Sequence, residues 1–338
     1  RTGNITPVAN LEPVYLAGTM VKRASVHNYN EMQRLDLHEG DYVFVEKGGE
    51  IIPKITSVDL SQRKENSQPF EFPENCPECN SKLIRIEGEA NHYCRNDLAC
   101  PPQIKGKIEH FVSRKAMDID SIGSETIELL FEKGLVKNIA DIYDLKVEDF
   151  IGLEGWQQKS IQNLLKGIEK SKEMPYKKVL FGLGIRHVGE TIAQKLTDVF
   201  HSIEELQKAS YEEIIAVHEI GERIAISLQN YFLIEENRVI IERLKVAGLN
   251  FFEEKKEIVL EGNQFDGKSF VISGVFENFE RDELKAKIIA HGGKVVSSIS
   301  AKLDYLVAGN NMGPSKLEKA EKLGINIIDE EEFIQLLK

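Results

Sequence analysis

The chain lacks any run of eighteen apolar residues and any basic-then-apolar leader, so it offers neither a helical membrane span nor a secretion signal. It has one Trp and four Cys in 338 residues, and all four Cys fall between Cys76 and Cys100. With no export signal, a reducing cytoplasmic setting is expected, where clustered thiols point to metal rather than disulfides. Positive charge is also short: 43 Lys and Arg stand against 55 Asp and Glu, a net charge of −12. That argues against a nucleic-acid partner held by a broad cationic surface. It leaves open one held through backbone amides at turns and helix starts, which need few cations. The sequence opens on Arg1 without a Met, in mid-pattern, as a fragment of a longer chain would. Its length exceeds one ordinary core, and roughly two to four modules are expected.

What is present falls into four stretches. Residues 1–68 hold short β-rich runs, YVFVE at Tyr42 to Glu46 and IIPKITSV at Ile51 to Val58, broken by Gly40-Asp41 and Gly48-Gly49 turns. A small β-barrel is expected. Residues 69–103 hold Cys76, Cys79, Cys94 and Cys100, as C-x2-C followed by C-x5-C. Thiolates presented by two turns can close a tetrahedron around one structural zinc, and four of them leave no open catalytic position. With so little apolar bulk nearby, the metal should provide most of this module's stability. His92 is a minor substitute ligand.

Residues 104–257 show 3.6-residue apolar spacing, as at Ile161, Leu164, Leu165 and Ile168. An internal repeat aligns SIGSETIELL, GWQQKSIQNLL, HVGETIAQKL and EIGERIAISL, placing Gly123, Gln157, Gly189 and Gly221 in register. A Gly before a helix exposes amides to a phosphate, which would read backbone and not bases. A protein-binding helical array with tight turns is the plain alternative. The glycines of residues 182–189 have the wrong spacing for a dinucleotide loop.

Residues 262–338 open with GNQFDGKS, which satisfies the P-loop pattern. Lys268 is followed by a strand pattern rather than a helix, so a nucleotide site is not expected. Instead FDGKSFVISGVF, a helix from Arg281 to His291, KVVSSIS, DYLVAG, a second helix and INIIDEEEF alternate β and α.

The phrases RTGNITPVANLEP, ASVHN and GDYVFVEKGGEIIPK closely resemble the OB-fold of NAD-dependent DNA ligases. The cysteine spacing, the LGIRHVGE phrase and the final α/β segment are similar to that family's zinc module, third helix-hairpin-helix and BRCT domain, in the same order. The resemblance implies a multidomain α+β protein: an OB-fold at 1–68, a four-cysteine zinc finger at 69–103, a helix-hairpin-helix array at 104–257 and a BRCT domain at 262–338. It implies DNA contacts at Arg1, Thr2, Lys47, Ile51 and Ile52 of the OB-fold. In the hairpins it implies contacts at Gly123, Gly155, Lys159, Arg186, Gly189 and Gly221. Gln157 breaks the repeat and should weaken the second hairpin, with Gly155 and Lys159 compensating in part and Trp156 as apolar anchor. Ser273, Gly274 and Lys316 match positions that hold phosphate in some BRCT domains, and Phe333 takes a core position often held by Trp.

The family adenylates the Lys of a K-x-D-G motif with NAD. No such motif occurs here, and the nearest echo, Gln264 to Gly267, has Gln in place of the nucleophile. NAD and magnesium are therefore expected only through a domain upstream, and catalytic residues are not expected in this chain. The expected partner is nicked duplex DNA, bound by a cytoplasmic monomer that acts in replication and repair. A free-standing DNA-binding adaptor built from the same modules is the other reading.

Overall fold

Two residues at positive φ, Ala17 at 46° and Gly18 at 79°, close a two-residue hairpin between strands Val8–Leu16 and Thr19–Ser25. Two left-handed residues give the turn whose twist matches paired strands. A second antiparallel pair, Val43–Gly48 with Ile52–Val58, joins the first through a parallel contact of Ser25 with Lys54. The resulting four-stranded sheet curves over a small core of Ala24, Val26, Met32, Leu35, Leu37 and Ile55. This computed structural model describes residues 1–48, 52–254, 261–296 and 298–337, so Gly49 of the expected Gly48-Gly49 turn and Ile51 lie outside the described residues. By contacts the chain divides into two units, Arg1–Glu254 and Lys255–Lys338.

The chain's first residues pair away from the barrel sheet. Asn4 and Ile5 form an antiparallel bridge with Tyr93 and His92, and the Cys94 amide donates to the Gly3 carbonyl at 2.8 Å. Gly3 is required here: at φ 73° a Cβ would sit 2.1 Å from the Cys94 oxygen. A small sheet thus forms from Asn4–Ile5, His92–Cys94 and Leu83–Arg85.

Beyond Cys100 the backbone becomes helical, from Pro101–Val112 to Glu235–Val246. Apolar residues at helical spacing merge into one core running from Ile104 to Phe251, in which Phe111, Phe150 and Tyr176 are fully buried.

In the second unit a parallel sheet is ordered Asn326–Ile328, Tyr305–Ala308, Ser269–Ser273, Lys294–Val295. Strand alternation sorts its side chains into two cores. Phe270, Ile272 and Val307 join Leu284, Ile288 and Phe333 on one face, while Val271 and Leu306 join Ala320 on the other. Phe333 is fully buried against the rings of Phe265, Phe270 and Phe279. The P-loop-like stretch leads from a turn with Gly267 at φ 71° into the strand Ser269–Ser273. Phe265 is core, and Lys268 faces Asp304 at 3.5 Å. The stretch is followed by a strand and not by the helix that a phosphate loop opens.

Candidate nucleic-acid interface and zinc module

Cys76 and Cys79 lie in a tight turn in which the Asn80 amide donates to the Cys76 carbonyl at 2.9 Å. Cys94 ends its strand opposite Leu83, and Cys100 caps the helix Pro101–Val112. The four Sγ atoms lie within 4.8 Å of one another, with Cys76 to Cys100 at 4.0 Å and Cys79 to Cys94 at 3.5 Å. Zn–S bonds of about 2.3 Å set the edges of a regular tetrahedron at roughly 3.8 Å. The thiols fit zinc, and soft sulfur donors suit it. Burial pushes the Cys94 thiol up to about 12 and raises Cys100, whereas bonds from Ser81 lower Cys79 to about 6. His92 stands outside this set, with its ring against Tyr29 and Phe72.

The repeat is geometrical as well as sequential. Each hairpin has a residue at positive φ two places before its second helix's N-cap, Ser121 at 72°, Gly155 at 82°, His187 at 67° and Glu219 at 65°, and the first three have another three residues earlier, at Asp118, Gly152 and Gly184. An apolar residue follows, Ile122, Trp156, Val188 or Ile220, and then the N-cap of a helix. Those N-caps are Gly123, Gln157, Gly189 and Gly221, with φ of −91°, −125°, −84° and −98°. The repeated glycines themselves are not at positive φ. The left-handed position lies two residues earlier, and only the second hairpin fills it with Gly.

The N-cap glycines are therefore not demanded by backbone strain. No heavy atom lies within 4 Å of where a Cβ at Gly123, Gly189 or Gly221 would stand, and no side chain caps these helices. Elsewhere Asn28, Ser202 and Ser210 cap helices with their own oxygens. The first amides of three hairpin helices are left bare to solvent at their positive ends. At the second hairpin the Gln157 amide donates to Ser160 Oγ at 2.9 Å. Lys159 is exposed in that helix's first turn, and Trp156 packs on Phe150 with ring centroids 4.6 Å apart.

The other residues singled out in the sequence are placed as follows. Lys47 donates to Thr19 Oγ1 at 2.6 Å and the Ala17 carbonyl at 3.3 Å, both neutral partners, and Ile52 is exposed. Arg1 and Thr2 line one cleft together with Arg186. Arg186 stacks on Tyr93 at 4.7 Å and meets Glu89 at 3.4 Å, a docking of hairpin on zinc module that sequence spacing gave no sign of. Ser273 is buried, and Gly274 at φ 106° would bring a Cβ within 2.5 Å of the Gly309 oxygen, so this glycine serves backbone packing. Lys316 is exposed in the first turn of Pro314–Lys322, and among the described residues no hydrogen bond joins it to Ser273.

Profiles of known domains match in the same order. The NAD-dependent DNA ligase OB-fold domain matches residues 1–67 and the NAD-dependent DNA ligase C4 zinc finger domain matches residues 75–101. The helix-hairpin-helix motif matches residues 178–241, and the BRCA1 C Terminus (BRCT) domain matches 261–337. The chain is 60% identical over all its 338 residues to a DNA ligase of Cytophaga hutchinsonii. It is 58% identical over 337 residues to one of Flavobacterium johnsoniae and 55% to one of Bacteroides fragilis. The chain belongs to the NAD-dependent DNA ligase family.

It spans about half the length of these ligases, 50% of the first two and 51% of the third. The four cysteines are the ligase family's zinc ligands in kind and number, a structural site. The helix-hairpin-helix match covers the third and fourth hairpins, and the shared φ pattern extends the repeat to the first two. Among the described residues no helix is long and apolar enough to cross a membrane. The ligase relatives do not favour the free-standing adaptor.

Proposed function

We propose that this chain is the DNA-gripping portion of a ligase that seals nicks in duplex DNA. The observation that carries the reading is the set of three uncapped helix starts at Gly123, Gly189 and Gly221, where no Cβ bars an anion from the amides. Helix N-termini of this kind take phosphate oxygens without reading bases, which suits an enzyme that must act at any sequence. The modules are read as 1–68, 69–103, 104–257 and 262–338, with the zinc finger as the rigid joint between barrel and hairpins. Lys47, Ile52, Arg1 and Thr2 are assigned to the minor-groove side of the grip. Ile51, outside the described residues, is assigned there by sequence alone. Gly155, Lys159 and Arg186 complete the hairpin contacts, and a phosphate site of the last module at Ser273, Gly274 and Lys316 is assigned by the sequence pattern alone.

The absence of K-x-D-G from these 338 residues supports placing adenylation, and with it NAD and magnesium, in another part of the enzyme. The working form is a monomer in the bacterial cytoplasm, associated with the nucleoid. Fluorescence anisotropy with labelled nicked duplex, intact duplex and single strand tests the grip. Tightest binding to the nicked duplex is expected, and equal affinity for duplex and single strand would end this reading.

A further inference from the structure

We propose that the cleft between the chain's first residues, the zinc module and the third hairpin takes a backbone phosphate of the duplex, with Arg1, Arg95 and Arg186 as its guanidinium donors. The cleft encloses about 490 Å³, and its walls carry Arg1, Arg95, Lys107, Arg186 and His187 against one acid, Asp97. Asp97 is taken up by Lys107, whose ammonium lies 2.7 Å from its carboxylate. His187 is held below its usual range by burial and by the charges of Arg186 and Arg223, so it is neutral at pH 7. Three guanidiniums remain.

Each is positioned. Gly184, at φ 69°, leaves room for Arg1, whose Nη1 lies 3.4 Å from where a Cβ would stand. Arg186 is fixed over the Tyr93 ring at 4.7 Å and keeps donors beyond its 3.4 Å contact with Glu89. Arg95 is exposed, 6.0 Å from the same ring, and among the described residues no carboxylate lies within ion-pair distance of it. Of the three, only Arg186 has a carboxylate within ion-pair distance among the described residues, Glu89, and the planar forks of Arg1 and Arg95, which line the same cleft, suit phosphate oxygens. In a chain of net charge −12 such a concentration of cations is out of keeping with the rest of the surface.

A strand phosphate fits better than a lone anion because the cleft reaches His187, two residues before the uncapped N-cap Gly189. Adjacent phosphates of one strand would then meet the guanidiniums and the bare amides. This makes the zinc module a DNA-contacting element through Arg95, and it rests on the DNA-gripping reading above.

The test uses Arg95→Ala in the whole chain, with Arg186→Ala beside it and zinc content and melting as controls. With zinc retained, Arg95→Ala should lower nicked-duplex affinity by roughly tenfold. It should also flatten the slope of log affinity against log salt by about one, the signature of one lost phosphate contact. Unchanged affinity and slope would overturn the proposal. Inorganic phosphate and NAD are titrated in parallel: if Arg95→Ala weakens only these and leaves duplex binding intact, the cleft is a small-anion site and the proposal fails. If Gly189→Val and Gly221→Val weaken duplex binding while Arg95→Ala does not, this cleft fails alone. A parent chain that does not bind nicked duplex sinks both readings.

Discussion

The guanidinium of Arg186 lies 4.7 Å over the ring of Tyr93, whose hydroxyl donates to Glu89 at 2.6 Å. Tyr93 immediately precedes the zinc ligand Cys94 and pairs with Ile84 in the zinc module's sheet. The metal site and the third hairpin are therefore joined through this stacked pair and the Arg186–Glu89 ion pair, and what loosens the zinc module loosens the hairpin's hold on Arg186. With Arg186 only partly buried, such a cation–π contact contributes about 1 kcal/mol, enough to bias a hairpin tip.

Zinc should bind once per chain and be lost from the double variant Cys94→Ser, Cys100→Ser. Metal analysis that still finds zinc in that variant would refute the assignment. The double variant should also melt earlier and bind nicked duplex more weakly, because the third hairpin loses its support.

Zinc affinity should rise with pH. In the metal-free site burial holds Cys94 protonated, with its pKa pushed up to about 12, and raises Cys100 as well, while Cys79 at about 6 is largely thiolate at pH 7. Metal must displace the protons of Cys94 and Cys100, so acidification competes with it. Calorimetry in buffers of different ionisation heat should register this proton release at pH 7. Pure zinc uptake with no proton release would contradict the buried thiols.

Replacing Gly189 or Gly221 by Val should weaken nicked-duplex binding by roughly tenfold, since a charge-assisted bond from the helix amides is worth about 1.5 to 3 kcal/mol. Gln157→Val should change it less. Folding should survive, because φ is −84° at Gly189 and −98° at Gly221 and the Cβ space is empty. Circular-dichroism melting checks this, and folded Val variants that bind as well as the parent would remove the hairpins from the grip.

Gly155→Ala should act first on stability. At φ 82° a Cβ costs about 1 to 2 kcal/mol, so thermal stability should fall, and as a contact of the weakest hairpin it should cost less affinity than Gly189→Val at temperatures where the variant is folded. A variant as stable as the parent would contradict the left-handed turn.

Incubation of the chain with radiolabelled NAD or ATP should leave it unlabelled, because no K-x-D-G lysine is present. A covalent AMP adduct would overturn that expectation.

The linear sequence determined what depends on residue type and short spacing. C-x2-C with C-x5-C specifies four thiolates on two turns, because metal coordination fixes which residues must converge. The 32- and 34-residue recurrence of an apolar residue before Gly or Gln specified the hairpins, because each helix start is a local event. The strand after Lys268 excluded a P-loop, because its apolar pattern differs from a helix over a few residues. Tertiary structure decided where only glycine fits without strain: at Gly155 and Gly274, but not at Gly123, Gly189 and Gly221, since φ depends on how the chain enters the turn. It also decided that Arg1, Arg95 and Arg186 share one cleft. They are far apart along the chain, and only the pairing of Asn4–Ile5 with His92–Cys94 and the stacking of Arg186 on Tyr93 bring them together. Contacts between distant segments leave no periodicity to read.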